Sequence, residues 1–204
     1  MSEYSKHYSV MNLDIMKYLA DNFSKEAEIN IADLTFGAGG HTLKIAKEFP
    51  NAQIISFDQD PEAFENGIKN INTNGFSERV RLVHTNFENF SEQDFVQSNQ
   101  FDFILMDLGV SSHHFDDEKR GFSFRFEADL DMRMNISDNE AYTAADFLNE
   151  LNEVDLANLI FEYGEERYSR RIAARIIEER KKNPIKSTTQ LEEICFNAYP
   201  VKER

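Results

Sequence analysis

The chain predicts an α/β fold: a parallel, doubly wound sheet in the first half, followed by an all-helical part. Three observations predict it. Short apolar runs rich in Ile, Val and Phe alternate with helical periods up to Asp107. A glycine turn joins the first of those runs to a helical pattern, as at the opening of nucleotide-type α/β domains. From Thr143 onward every segment carries a helical period.

The elements follow in order. Asn12 to Phe23 has a helical spacing of Leu13, Met16, Leu19 and Ala20. Glu28 to His41 reads as a buried strand, with Ile29, Ile31, Leu34 and Phe36, running into Gly37-Ala38-Gly39-Gly40 and then a helix from Thr42. Gln53 to Asp58 is the second strand. Pro61 to Ile71 is a helix, with Asp60 as its cap, Pro61 at the first position and Gly75 in the following turn. Arg79 to His84 is a third strand, Ser91 to Val96 a short helix or turn, and Phe101 to Asp107 a strongly apolar fourth strand. Leu108 to Glu140 has no clean period, and a long irregular segment in a compact domain is usually functional or disordered. Helices are expected over Thr143–Asn149, Glu153–Tyr163, Glu165–Lys182 and Thr188–Asn197. The division falls at Asp107/Leu108, giving a core over 1–107 and a mostly helical part over 108–204.

The glycine turn narrows the ligand. A dinucleotide fold uses G-x-G-x-x-G, and the third glycine of that pattern is absent here. Asp33, at the strand end ahead of the turn, would repel a pyrophosphate and suit a cationic amino-acid moiety. That favours S-adenosyl-L-methionine over a nicotinamide dinucleotide. A tight turn with no ligand is the plain alternative. Asp58 ends the second strand 19 residues after Gly39, near the spacing of roughly 20 at which an acid meets ribose hydroxyls.

Composition sets the setting. A chain of 204 residues holds one domain, or one domain with a small appendage. The single cysteine, Cys195, excludes a disulfide framework and suggests a reducing compartment. No 18-residue apolar run and no signal-peptide core are present, so a soluble cytoplasmic protein with no membrane partner is expected. The net charge of −15 is unfavourable for nucleic acid, but Gly164 to Lys186 holds eight basic and four acidic residues. Its helical wheel collects Arg167, Arg170, Arg171 and Arg175 on one face and Tyr168, Ile172, Ala173, Ile176 and Ile177 on the other. That face is either an RNA footprint or an ordinary solvated face paired with neighbouring glutamates.

Six runs in order then resemble the MraW/RsmH methyltransferases, a family that N4-methylates a cytidine of small-subunit ribosomal RNA: DLTFGAGGHT (33–42), FDQDPEA (57–63), LMDLGVSS (105–112), RGFSFR (120–125), LDMRM (130–134) and YGEERYSRRIAARI (163–176). The resemblance implies a class I S-adenosylmethionine-dependent methyltransferase fold, of which this chain carries the first half of the sheet and an inserted helical domain. It implies that Gly39, Gly40 and His41 form the cofactor turn, that Asp58 holds the ribose, that Phe87 lies beside the adenine, and that Asp107 is the acid ending the fourth strand beside the cofactor. For catalysis, Asp107 and the backbone carbonyls of Leu108 to Val110 are the candidate acceptors for the hydrogens of the target amino group, with a strand-end cap or a cofactor contact as the plain alternative for Asp107. His114 stands where the family has a cofactor-contact glutamine. Arg133, Arg167, Arg170, Arg171 and Arg175 are expected on RNA phosphates of the small-subunit (30S) particle.

Departures from the family pattern are also visible. Ser111-Ser112-His113-His114 replaces Ser-Ser-Pro-Gln, and the paired histidines are expected as a partly exposed loop, with no metal. The N-terminal His-x-Pro-Val is here His7-Tyr8-Ser9-Val10. The second half of the family's core is absent, which leaves an unpaired sheet edge as a site for a homodimer or for aggregation. Gly121-Phe122-Ser123-Phe124-Arg125 can stack on bases and touch a phosphate, or pack the insertion. Three functions stay open: methylation of ribosomal RNA, methylation of a small molecule or protein, and binding without turnover.

Overall fold

The structure is a computed structural model that describes residues 9–98 and 100–203. His7 and Tyr8 of the N-terminal motif lie outside them. The chain divides into two compact units, up to Ser112 and from His113.

The first unit holds four parallel strands: β1 (Asn30–Asp33), β2 (Gln53–Asp58), β3 (Val80–His84) and β4 (Phe103–Leu105), in the order β3-β2-β1-β4. Asp33 pairs in register with Ser56 on one side and Leu105 on the other, and Asp58 pairs with His84. The carboxyl ends of all four strands therefore open on one side. The connections leave β1 toward β2 in one direction and return to β4 in the other, so the order reverses between β1 and β4. A ligand crevice in an open α/β sheet forms at such a reversal.

Helix α1 (Asn12–Asn22) precedes β1, α2 (Gly40–Glu48) joins β1 to β2, and α3 (Pro61–Thr73) joins β2 to β3. Asp60 caps α3 by accepting the Glu62 N–H at 3.0 Å, with Pro61 at the first position, as expected. A 3₁₀ turn (Phe87–Glu92) and the four-residue α4 (Asp94–Gln97) cover the stretch Ser91–Val96 expected as a short helix or turn. The central strands β1 and β2 bury both faces. Ile31, Ile54, Val80 and Leu82 pack with Leu19, Phe36 and Ile45 on one side. Ala32, Leu34 and Phe57 meet Phe87, Phe90, Phe95 and Phe101 on the other. Such two-sided burial is why these strands read as apolar runs and not as an alternation. The fourth strand is shorter than the expected Phe101–Asp107, because the ladder offered by β1 spans only Ile31 to Asp33.

Among the described residues, 108–143 contains one regular element, the short α5 (Ser112–Asp116). The second unit then packs α6 (Ala144–Glu150), α7 (Glu153–Gly164), α8 (Ser169–Arg180) and α9 (Thr188–Ala198) around Leu130, Leu156, Ile172, Ile176, Ile185 and Ile194. Capping boxes start two of the helices: Thr143 with Asp146, and Ser187 with Gln190. The helix expected from Glu165 starts four residues later. Glu165 takes a left-handed φ of +49° that closes α7, and the Glu166 carboxylate accepts the Tyr168 N–H at 2.7 Å ahead of α8. No helix among the described residues is long and apolar enough to cross a membrane.

Candidate active site

The reversal point brings two sequence-predicted groups together: the glycine turn after β1 and Asp107 after β4. The turn is held by its own chain. Gly39 has a φ of +80°, and a Cβ there would lie 2.6 Å from Phe36 Cζ, so only glycine fits. The Gly39 N–H donates to the Phe36 carbonyl at 2.8 Å. A Cβ on Gly40 would meet Ser9 Oγ at 2.0 Å, whereas one on Gly37 would meet nothing within 4 Å among the described residues. The glycines thus divide their work. Gly39 and Gly40 shape the bend, and Gly37 leaves room on its open face. Beyond them, the first N–H groups of α2, including Gly40 and His41, have no carbonyl within the helix to bond and carry its partial positive charge. That end suits a carboxylate.

Asp58 ties β2 to the turn. Its Oδ2 accepts the Gly37 N–H at 2.6 Å, and its Oδ1 accepts the Asp60 N–H at 2.9 Å. Its carboxylate thus stands at the carboxyl end of β2, against the glycine turn. Phe87 is half-buried in the aromatic cluster beneath the end of β3.

Asp33 corrects the expectation made for it. It is fully buried, with 0 % exposure, and does not face an incoming cation. The Thr42 hydroxyl donates to Asp33 Oδ2 at 2.6 Å and lies 2.7 Å from Ser56 Oγ, and the Thr35 N–H donates to Oδ1 at 3.1 Å. Burial pushes the Asp33 carboxyl above its ordinary value, and the Thr42 hydrogen bond opposes that shift. Asp33 therefore fixes the turn from below. Sequence reasoning missed Thr42, Ser56 and Thr35; the one available signal was a threonine directly behind a glycine turn that follows an acid-ended strand.

Asp107 is accessible, with 43 % of its side chain exposed, and its N–H donates to Thr35 Oγ1 at 2.7 Å. His41 Nε2 stands 3.5 Å from Asp107 Oδ2. That distance exceeds an ordinary N–H···O bond, and among the described residues this buried nitrogen has no hydrogen-bond partner. A buried, unmatched polar atom costs roughly 1–3 kcal/mol and calls for an explanation.

The remaining predicted residues lie in the second unit. His114 is buried at 5 % exposure on α5, with its ring 5.2 Å from that of Phe122. It is not part of a partly exposed loop: the imidazole is buried and packs against Phe122. Phe124 is exposed, and the Arg125 guanidinium donates to Asp116 at 2.7 Å and to the Phe115 carbonyl at 2.9 Å. Arg133 is likewise engaged within the chain. Its Nε and a terminal nitrogen grip Asp131 at 2.9 and 2.6 Å, holding that carboxyl below its ordinary value, and its other nitrogen reaches the Asp138 carbonyl. A bidentate partner within the chain thus occupies the fork of the arginine expected on RNA phosphate. Arg170 and Arg171 are exposed on α8, Arg167 precedes that helix with its guanidinium 4.7 Å from the Tyr168 ring centroid, and Arg175 donates to Glu178 at 2.7 Å. Burial pushes the Cys195 thiol up to about 11, which leaves it a poor nucleophile.

Comparison with known proteins adds a family. The sequence model of the MraW methylase family matches residues 4–204. "Ribosomal RNA small subunit methyltransferase H" of Picosynechococcus sp. is 41% identical over 199 residues, covering 98% of this chain and 63% of that protein. The proteins of the same name from Geotalea uraniireducens and Synechococcus elongatus are 41% and 45% identical, over 95% and 82% of this chain and 60% and 53% of theirs. The chain thus spans less than two thirds of the length of these curated relatives.

Proposed function

The chain belongs to the MraW methylase family, and from that premise we propose that it serves methyl transfer from S-adenosyl-L-methionine to small-subunit ribosomal RNA, at the exocyclic N4 of a cytidine. The observation that carries the reading is the meeting of the glycine turn and Asp107 at the reversal point of the sheet. The names of the relatives support the class of substrate.

The residues fit the cofactor. The N–H groups opening α2 at Gly40 and His41 receive its carboxylate. Asp58 accepts the ribose hydroxyls while it still holds Gly37, and Phe87 offers a ring for the adenine. When bound, S-adenosyl-L-methionine supplies a methyl group already activated by a sulfonium. The chain need not generate a strong nucleophile; it must align the acceptor nitrogen with that methyl, and such positioning is a large part of the rate. Asp107 accepts a hydrogen of the cytosine amino group, stabilises the positive charge that grows on nitrogen, and takes up the proton released. Its partial exposure lets that proton pass to water.

RNA phosphates are met by Arg167, Arg170 and Arg171, which the fold leaves exposed. Arg175 joins them by exchanging Glu178 for a phosphate. The test is transfer of labelled methyl to unmethylated small-subunit particles. The reading expects label in cytidine N4, with Asp107→Ala lowering the rate at least about 100-fold, since a positioned proton acceptor contributes ~10²–10⁴. Label transfer at the parent rate by that variant would overturn the role of Asp107, and label on protein only would overturn the substrate.

A further inference from the structure

We propose that His41 is a positioning residue for Asp107: with S-adenosyl-L-methionine bound, its Nε2–H donates to Asp107 Oδ2 and turns Oδ1 toward the methyl acceptor. The inference rests on the cofactor reading above and deepens it.

Both partners are anchored so that only a small side-chain movement separates them. His41 is the second residue of α2 and is 95% enclosed, at 5% exposure. Its neighbour Thr42 is pinned by the buried contacts to Asp33 and Ser56, which fixes where the imidazole stands. Asp107 is pinned through its N–H on Thr35 Oγ1, while its carboxylate keeps freedom to rotate in partly open surroundings. The gap between them is 3.5 Å. Catalytic hydrogen bonds are commonly long before the ligand is in place and tighten in the complex. The same buried nitrogen has no hydrogen-bond partner among the described residues, which calls for one to be supplied on binding. Fixing Oδ2 on the imidazole leaves one carboxylate oxygen with a single direction to offer the acceptor amino group. A freely rotating carboxylate offers none, and the orientation of a base by a third group is a recurring device in active sites.

Nitrogen NMR on the full chain with labelled histidine tests this. The His41 signal is assigned by its loss in His41→Gln, and spectra are taken with and without saturating S-adenosyl-L-methionine, in the parent and in Asp107→Ala, which removes every side-chain acceptor at that position. With 43% of the Asp107 side chain exposed, the change leaves the buried core untouched. The expected result is a cofactor-dependent downfield shift and slowed exchange of the His41 Nε2 proton in the parent, absent in Asp107→Ala at a cofactor concentration that saturates it. A His41 signal that cofactor leaves unmoved, or that moves equally in Asp107→Ala, overturns the pairing while leaving the cofactor reading intact. Calorimetry on the same samples separates the two ideas: no saturable heat with S-adenosyl-L-methionine would overturn the cofactor reading itself, and the pairing with it.

Discussion

Beneath the glycine turn, one hydroxyl serves two buried groups. Thr42 Oγ1 reaches Asp33 and Ser56 in surroundings closed to water. Thr42→Val keeps the shape and removes the hydroxyl, so Asp33 loses a donor it cannot replace from solvent. The expected loss is about 1–3 kcal/mol in denaturant unfolding; an unchanged midpoint would mean that the network contributes nothing. Asp131 carries a pH signature of the opposite kind to that of Asp33. The Arg133 guanidinium beside it holds its carboxyl below the ordinary 3.8. The stability this pair adds is fully present above 3.8 and is lost as pH falls through the depressed value. Arg133→Met removes that contribution, so the variant should unfold at a higher pH than the parent during acid titration. Coincident acid transitions would show that the pair adds nothing.

At the level of elements, start signals in the sequence carried most of the legibility. The Asp60-Pro61 start of α3 and the exact extent of β2 were readable because cap, proline and a bounded apolar run are all local. The start of α8 was not, because Glu165 is an unexceptional residue for a helix and only its left-handed backbone breaks the run. The Thr42 network and the Asp131–Arg133 pair escaped for a related reason: the residues are ordinary, and their meaning comes from what the fold sets beside them. Gly121 shows a motif residue with a structural cause. With φ at +74°, a Cβ there would lie 2.3 Å from the Asp129 carbonyl oxygen. The caps give a direct test of element stability. Ser187→Ala breaks the capping box of α9 and should cost about 1 kcal/mol, read as a lower Tm, with Ser187→Asn retaining most of it. On α8, the triple change of Arg167, Arg170 and Arg171 to Glu should weaken RNA binding. It should also flatten the salt dependence by about 0.7 log unit per lost phosphate contact, and leave cofactor binding as it was. An unchanged affinity would make that face a solvated surface only.

For the molecule as a whole, the sheet explains both the site and a liability. Among the described residues β4 pairs only with β1, and Ile104 on it is 51 % exposed. An apolar open edge accepts another strand. The chain is therefore expected to associate with rising concentration in sedimentation, and Ile104→Lys to suppress it; a concentration-independent monomer would contradict this. The same sheet, by reversing its order between β1 and β4, sets the glycine bend beside Asp107. Calorimetric titration of S-adenosyl-L-methionine, into the parent chain and into Asp58→Ala, tests that claim most directly. The parent should give one saturable site, and removal of the carboxylate that holds Gly37 and is proposed to accept the ribose hydroxyls should weaken it at least tenfold. Equal affinity in both proteins, or no saturable binding in the parent, would contradict the assignment of the bend.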